Sequence, residues 1–177
     1  MEQFLSPTTE RHNWLASRFM YSVFPLLEKK EVYAVQEQIG LVHFGKKREK
    51  YNLFLIDVEL EVTDEDKFIH KILNDLECVY PDFMLFTNNK YIKNTTNTKI
   101  AGIPNLIVEI WSDGNSDFDR DLKFELYSGK NTEHWYINQD SNNVDCWFGN
   151  QKLKRQLLTN ILVTKQGFTF DLRFLAL

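Results

Sequence analysis

Residues 104–111 read Pro104-Asn105-Leu106-Ile107-Val108-Glu109-Ile110-Trp111. A near-continuous apolar run of this length fits a strand covered on both faces, at the centre of a sheet rather than its edge. One ionisable residue, Glu109, interrupts it. A charge inside a buried strand is costly unless it is paired or coordinates a metal. Glu109 is therefore either part of a working site or a carboxylate that is solvated or ion-paired at the strand's end.

Upstream, residues 79–86 (VYPDFMLF) form a short apolar stretch in which Pro81-Asp82 opens the strand. Downstream, the polar segment SDGNSD (112–117) leads into a helix expected over 118–129, with Phe118, Leu122 and Leu126 as its apolar stripe. Gly129 is a natural stop. Asp119, Lys123 and Tyr127 run i, i+4, i+8 and share one flank of that helix. Two carboxylates on neighbouring strands, Asp82 and Glu109, can hold a hard divalent cation such as Mg²⁺. A nearby lysine, Lys123, can orient a nucleophile and stabilise the charge that develops on a phosphate. Taken singly, Asp82 is also what a Pro-Asp turn would place there, and most helix lysines are simply solvated.

Ser6-Pro7 reads as a helix start, and Leu15, Phe19, Val23 and Leu26 recur at helical spacing over about 8–29. Pro25 should kink that helix or mark its last turn. Residues 31–44 carry β-branched and aromatic types, with Glu37 on a mostly apolar face. A basic loop follows at 45–51, then an alternating strand at 52–62 and a helix at 64–76. Residues 134–137 and 144–148 pair as a hairpin, and further strand residues follow over 151–165. Strands and helices alternate, which indicates an α/β fold in a single domain over 1–177.

At 177 residues the chain is one domain's worth. Its net charge of −4 argues mildly against a constitutive nucleic-acid coat protein. It does not exclude a nuclease, whose metal-binding carboxylates are themselves acidic. Cys78 and Cys146 lie far apart and fit reduced thiols, and no signal peptide or membrane-length apolar run is visible, so a cytoplasmic protein with no membrane association is expected. His12, His43, His70 and His134 lack zinc-ligand spacing. Lys46, Lys47, Arg48 and Lys50 could touch a phosphate backbone, although such a run is more often a solvated loop.

The stretch Gly102–Ser112, then Asp119, Lys123 and Tyr127, then Glu133-His134-Trp135-Tyr136-Ile137-Asn138 resembles the Uma-two family of restriction endonucleases in the PD-(D/E)xK superfamily. Pro81-Asp82 matches that family's first element, and His12 with its helix resembles the leading one. The resemblance implies a restriction-endonuclease-like core, a mixed central β-sheet flanked by α-helices. It implies Asp82, Glu109 and Lys123 as catalytic residues and Mg²⁺ (or Mn²⁺) as cofactor. Asp82, Glu109 and the backbone carbonyl of Ile110 would ligate that metal. Glu37, Asp119 and Tyr127 would support the site, DNA would be the substrate, and a homodimer the assembly. It also implies that the lysine has moved from the strand to the following helix, which would explain Trp111 where the superfamily pattern has Lys. Asn105, Asn138 and His134 depart from the family's Asp, Asp and Tyr. Residues 45–80 match nothing in it and read as an elaboration. A catalytically inactive module that keeps the fold for DNA binding or protein association is the alternative.

Overall fold

The computed structural model describes residues 10–29, 32–36, 40–42, 78–87, 99–100, 103–111, 117–128, 132–141, 143–158 and 161–171. The expected strand at 52–62, the helix at 64–76, Glu37 and the basic cluster Lys46, Lys47, Arg48 and Lys50 lie outside the described residues.

Helix α1 spans Glu10–Glu28 and carries Pro25 in its final turn. There a missing N–H costs one intrahelical bond close to where the ladder ends anyway. The expected strand at 31–44 is two strands in different sheets, β1 (Tyr33–Gln36) and β2 (Gly40–Val42). The stretch 79–86 is likewise divided, into β3 (Cys78–Val79) and β4 (Phe83–Phe86). Pro81 stands between them. It cannot donate to a ladder, so a break there is where the chain can leave one sheet for another. The remaining elements are β5 (Lys99–Ile100), β6 (Leu106–Trp111), α2 (Asp117–Ser128), β7 (Glu133–Asn138), β8 (Asn143–Phe148), β9 (Gln151–Lys152), β10 (Gln156–Leu157), β11 (Ile161–Val163) and β12 (Thr169–Asp171).

The main sheet runs β1-β4-β6-β7-β8-β10, with β9 added on β8. Its β6–β7 pair is parallel, while β1–β4, β4–β6, β7–β8 and β8–β10 are antiparallel. This is the mixed sheet with flanking helices that the sequence implies. The parallel pair requires a crossover, and α2 supplies it. A small sheet, β3-β2-β5, and a β11–β12 hairpin complete the described strands.

Alternation along the strands divides the core in two. Phe83, Leu85, Leu106, Val108, Ile110, Trp135 and Ile137 face α1, whose Leu15, Phe19 and Val23 are buried against them. Met84, Phe86, Ile107 and Tyr136 face α2, which contributes Tyr127, with Phe124 and Leu126 packed alongside. Phe170 closes the first layer from β12, with ring centroids 5.2 Å from Phe19, 5.6 Å from Trp135 and 6.0 Å from Phe83. Aromatic contacts of this kind add about 0.5–1.5 kcal/mol beyond area burial. Phe170→Leu is therefore expected to lower stability by about 1–2 kcal/mol in urea denaturation. An unchanged midpoint would mean that the hairpin contributes nothing to the core. No helix among the described residues is long and apolar enough to cross a membrane.

Candidate active site

Glu109 is the fourth residue of β6, at the centre of the sheet, and is 1% exposed. Its neighbours Val108 and Ile110 point toward α1, so Glu109 points the other way, toward α2. Two residues of α2 meet it. Lys123 Nζ lies 2.9 Å from Oε2, and Tyr127 Oη donates to Oε1 at 2.6 Å. Asp119, one turn before Lys123, lies 3.7 Å from the same ammonium on its solvent side. Asp119, Lys123 and Tyr127 thus form one row, as their spacing requires.

The expected stripe of α2 is corrected at Leu122 and holds at Leu126, which packs against the core, while the Phe118 side chain lies outside the described residues. Leu122 is 41% exposed, and the helix buries Tyr127 with Phe124 and Lys123 partly covered. Counting apolar residues put the seam at Phe118, Leu122 and Leu126. The buried carboxylate on β6 needs an ammonium and a hydroxyl opposite it, and that demand sets the helix's rotation.

Asp82 lies immediately before β4. Phe83 pairs with Val108 in the antiparallel β4–β6 ladder, and one further step of that register sets Asp82 opposite Glu109. The Asp82 carboxylate is tied down twice. Oδ2 accepts from the Ile110 N–H at 2.5 Å, and Oδ1 lies 3.1 Å from Nε2 of His12. The Trp111 carbonyl accepts from Gln139 N, toward β7. Edges alternate along a strand, and a residue's N–H and C=O share an edge, so the Ile110 carbonyl faces the opposite edge, where Asp82 lies.

Burial pushes the Glu109 carboxyl up to about 7, Lys123 opposes that rise, and Asp82 adds to it. Burial acts to lower the Lys123 ammonium, but Glu109 outweighs it and holds the group above its ordinary value. Tyr127 is raised well above its own, by burial and by Glu109. The direction is consistent: this pocket has too little water to solvate charge and relies on its own groups to balance it.

Behind Glu109, a buried polar contact fixes Tyr136, the residue opposite it in the β6–β7 register. His134 Nε2 lies 2.7 Å from the Gly149 carbonyl, and Nδ1 lies 2.9 Å from Tyr136 Oη. A carbonyl only accepts, so Nε2 carries the hydrogen. Burial lowers the His134 pKa and keeps the ring neutral, so Nδ1 accepts from Tyr136. Gly149 adopts φ 54° in the turn that presents this carbonyl, a conformation glycine reaches without strain. Trp111 packs against Tyr136 with ring centroids 4.5 Å apart and takes Arg120 over its ring at 5.1 Å. It fills the strand position with packing, while Lys123 brings the cation from the helix.

The other departures from the family pattern fall at strand ends, Asn105 just before β6 and Asn138 at the end of β7. Asn105 accepts from Thr87 and donates from Nδ2 to Gln166 at 2.9 Å, a bond that aspartate could not make. Asn138 accepts from the N–H groups of Asp140 and Ser141. The structure thus brings together Asp82, Glu109, Ile110, Asp119, Lys123 and Tyr127. It adds His12, which the sequence reading left as part of a helix. The signal was there: His12, Leu15, Phe19 and Val23 fall on one helical stripe, so the histidine sits on the buried face.

Comparison with known proteins bears on the fold and the family. The solved structure of a protein described as a putative nuclease, from Anabaena variabilis ATCC 29413, matches with a TM-score of 0.58 and 12% identity, over 93% of this chain and 79% of that one. At that identity the likeness is one of fold. No curated protein matches the chain. A family described as "Putative restriction endonuclease", Uma2, matches residues 64–173, a span that begins inside the 45–80 stretch. That span covers more than half of the chain and includes both carboxylates, the lysine and the tyrosine, so the chain belongs to the Uma2 family of putative restriction endonucleases.

Proposed function

We propose that this protein is a metal-dependent endonuclease that hydrolyses DNA phosphodiester bonds at the Asp82–Glu109–Lys123 site. The observation that carries the reading is Glu109: a carboxylate 1% exposed in a central strand, opposite Asp82 and bonded to a lysine from the crossover helix. Evolutionary economy would fill such a position with an apolar residue unless the charge were used, because a buried ion pair is often no more stabilising than its hydrophobic replacement.

The donor set fits a hard divalent cation, Mg²⁺ or Mn²⁺. Among the described residues no group of three or more His, Cys, Asp and Glu side chains could hold a metal. The ligands would instead be the two carboxylates and the Ile110 carbonyl, with water filling the other positions, as Mg²⁺ prefers. Each carboxylate oxygen has two acceptor sites, so the bonds from Ile110, Tyr127 and Lys123 leave room for ligation. A cation bound there would supply an activated water and offset charge on the phosphate.

The chain's own groups do the rest. Lys123 has three donors and gives one to Glu109, so the others can hold the attacking water or a non-bridging phosphate oxygen. Asp119 steadies the ammonium from its solvent side. Tyr127 holds Glu109 from the helix side and fixes the direction of its free lone pairs. The hydroxyl touches the carboxylate rather than the lysine, so its support acts through Glu109.

The test is cleavage of supercoiled plasmid and of single-stranded DNA by the purified chain, with Mg²⁺, with Mn²⁺ and with EDTA. Nicking that requires the metal is expected. Absence of cleavage on every substrate would move the reading to a binding module that keeps the fold.

A further inference from the structure

His12 occupies the first position of the α1 seam, ahead of Leu15, Phe19 and Val23. An apolar side chain there would continue that seam at no electrostatic cost. An imidazole with a side chain only 12% exposed carries a desolvation cost that a hydrogen bond must offset. Its Nε2 lies 3.1 Å from Asp82 Oδ1, within hydrogen-bond reach, and the Asp82 side chain is itself 13% exposed.

We propose that His12 is a positioning residue for Asp82. It and the Ile110 N–H clamp the two oxygens of the carboxylate and fix which lone pairs remain for a cation shared with Glu109. The inference rests on the metal-site reading above for its functional consequence, but the clamp exists without metal. A carboxylate's terminal torsion is soft and nearly two-fold, so one hydrogen bond to Oδ2 leaves the plane of the group loosely defined. Two bonds from different elements, β6 and α1, define it. An ionised carboxylate only accepts, so Nε2 donates in either the neutral or the charged imidazole. The link also explains why a helix packed on one face of the sheet belongs to a site whose lysine comes from the other. Asp82 sits at the strand's end, where both helices can reach it.

Outer partners that orient a ligating group typically alter metal affinity by about 10–100-fold when removed. His12→Ala and His12→Asn are expected to weaken Mn²⁺ binding to the full chain, measured by calorimetry, by that factor. His12→Gln is expected to stay within about threefold of wild type. The Gln Nε2 is an N–H donor the same number of bonds from the backbone as the imidazole Nε2, whereas the Asn amide stops one bond short. A second readout needs no metal: exchange of the Ile110 amide hydrogen should quicken about tenfold in His12→Ala and recover in His12→Gln. Loss of Mn²⁺ affinity equal in the Gln and Asn variants, or an Ile110 amide indifferent to all three, overturns the positioning role. If wild type binds no Mn²⁺ while the Ile110 amide follows the expected pattern, the clamp stands and the nuclease reading fails.

Discussion

Glu109→Gln is expected to reduce metal-dependent DNA cleavage by at least about a thousandfold while leaving the sheet intact, because the amide keeps the volume and one acceptor but cannot neutralise a cation. The same substitution has a second signature in the metal-free protein. Glu109 ionises near 4.5 in an unfolded chain and near 7 in the fold. Between those values the folded state retains a proton that the unfolded state has lost. Stability therefore falls as pH rises from about 4.5 to about 7, and is level with respect to this group beyond that. The full excursion is on the order of 3 kcal/mol. Glutamine has nothing to titrate, so the difference in stability between wild type and Glu109→Gln should shift toward the variant across that window and then stop changing. Denaturant titrations at half-unit pH intervals in EDTA would show it. A constant difference from pH 4.5 to 7 would mean that Glu109 is ionised throughout. Adding Mg²⁺ should remove the slope in wild type alone, since a bound cation displaces the proton.

Much of this arrangement is legible in the sequence because it rests on periodicities. The strand at 106–111 announces itself by an apolar run broken only at Glu109, and the helix after it by a 3.6-residue repeat, so the parallel crossover that carries Lys123 to Glu109 follows from two local patterns. The rotation of α2 was not legible. Leu122 and Leu126 outscore Lys123 and Tyr127 in any hydrophobic count, yet Leu122 is the exposed one. Local apolarity cannot register that a carboxylate one strand away requires polar partners. The break at Pro81 was missed for a related reason. Residues 79–86 have the composition of one strand, and only the existence of two sheets, β3-β2-β5 beside the main one, makes the proline a crossing point. His12 is the instructive omission. Its place on the buried stripe could be read, but Asp82 lies 70 positions further along the chain, and no local pattern joins the two.

The polar groups are ordered by depth, and that order gives the site its directionality. Glu109, Tyr127 and His134 are buried, with Tyr136 nearly so and hydrogen-bonded to His134. Lys123 comes next, bonded to Glu109, and then Asp119 with its side chain 45% exposed. Charge alternates outward from Glu109, so a phosphate arriving from solvent meets the ammonium flanked by carboxylates rather than a uniformly basic surface. A fixed cation supplied by a metal is what would convert this acidic mouth into one that accepts a polyanion.

Lys123→Ala tests that ordering most severely. Cleavage should fall by about 10²–10³-fold, through loss of the donor proposed to hold the attacking water or the phosphate. Its effect on stability should depend on pH across the neutral range, where that of a simple surface ion pair would be constant. The Lys123 pKa is raised in the fold, so its contribution is fully present below about pH 10.5 and is lost only as pH climbs through the folded value. At neutral pH the ammonium is therefore charged. Removing it leaves Glu109 buried with Tyr127 as its side-chain partner among the described residues. A broken buried pair costs about 3–5 kcal/mol when the remaining charge stays. Glu109 can evade most of that by taking up a proton, and its pKa then climbs further above 7. The variant should accordingly be nearly as stable as wild type at pH 6 and clearly weaker at pH 8.5. The double variant Glu109→Gln with Lys123→Met removes both charges, and should recover stability at pH 8.5 without recovering cleavage. Full activity in Lys123→Ala would take the lysine out of the reaction, and a stability loss equal at both pH values would show that Glu109 keeps its charge without it.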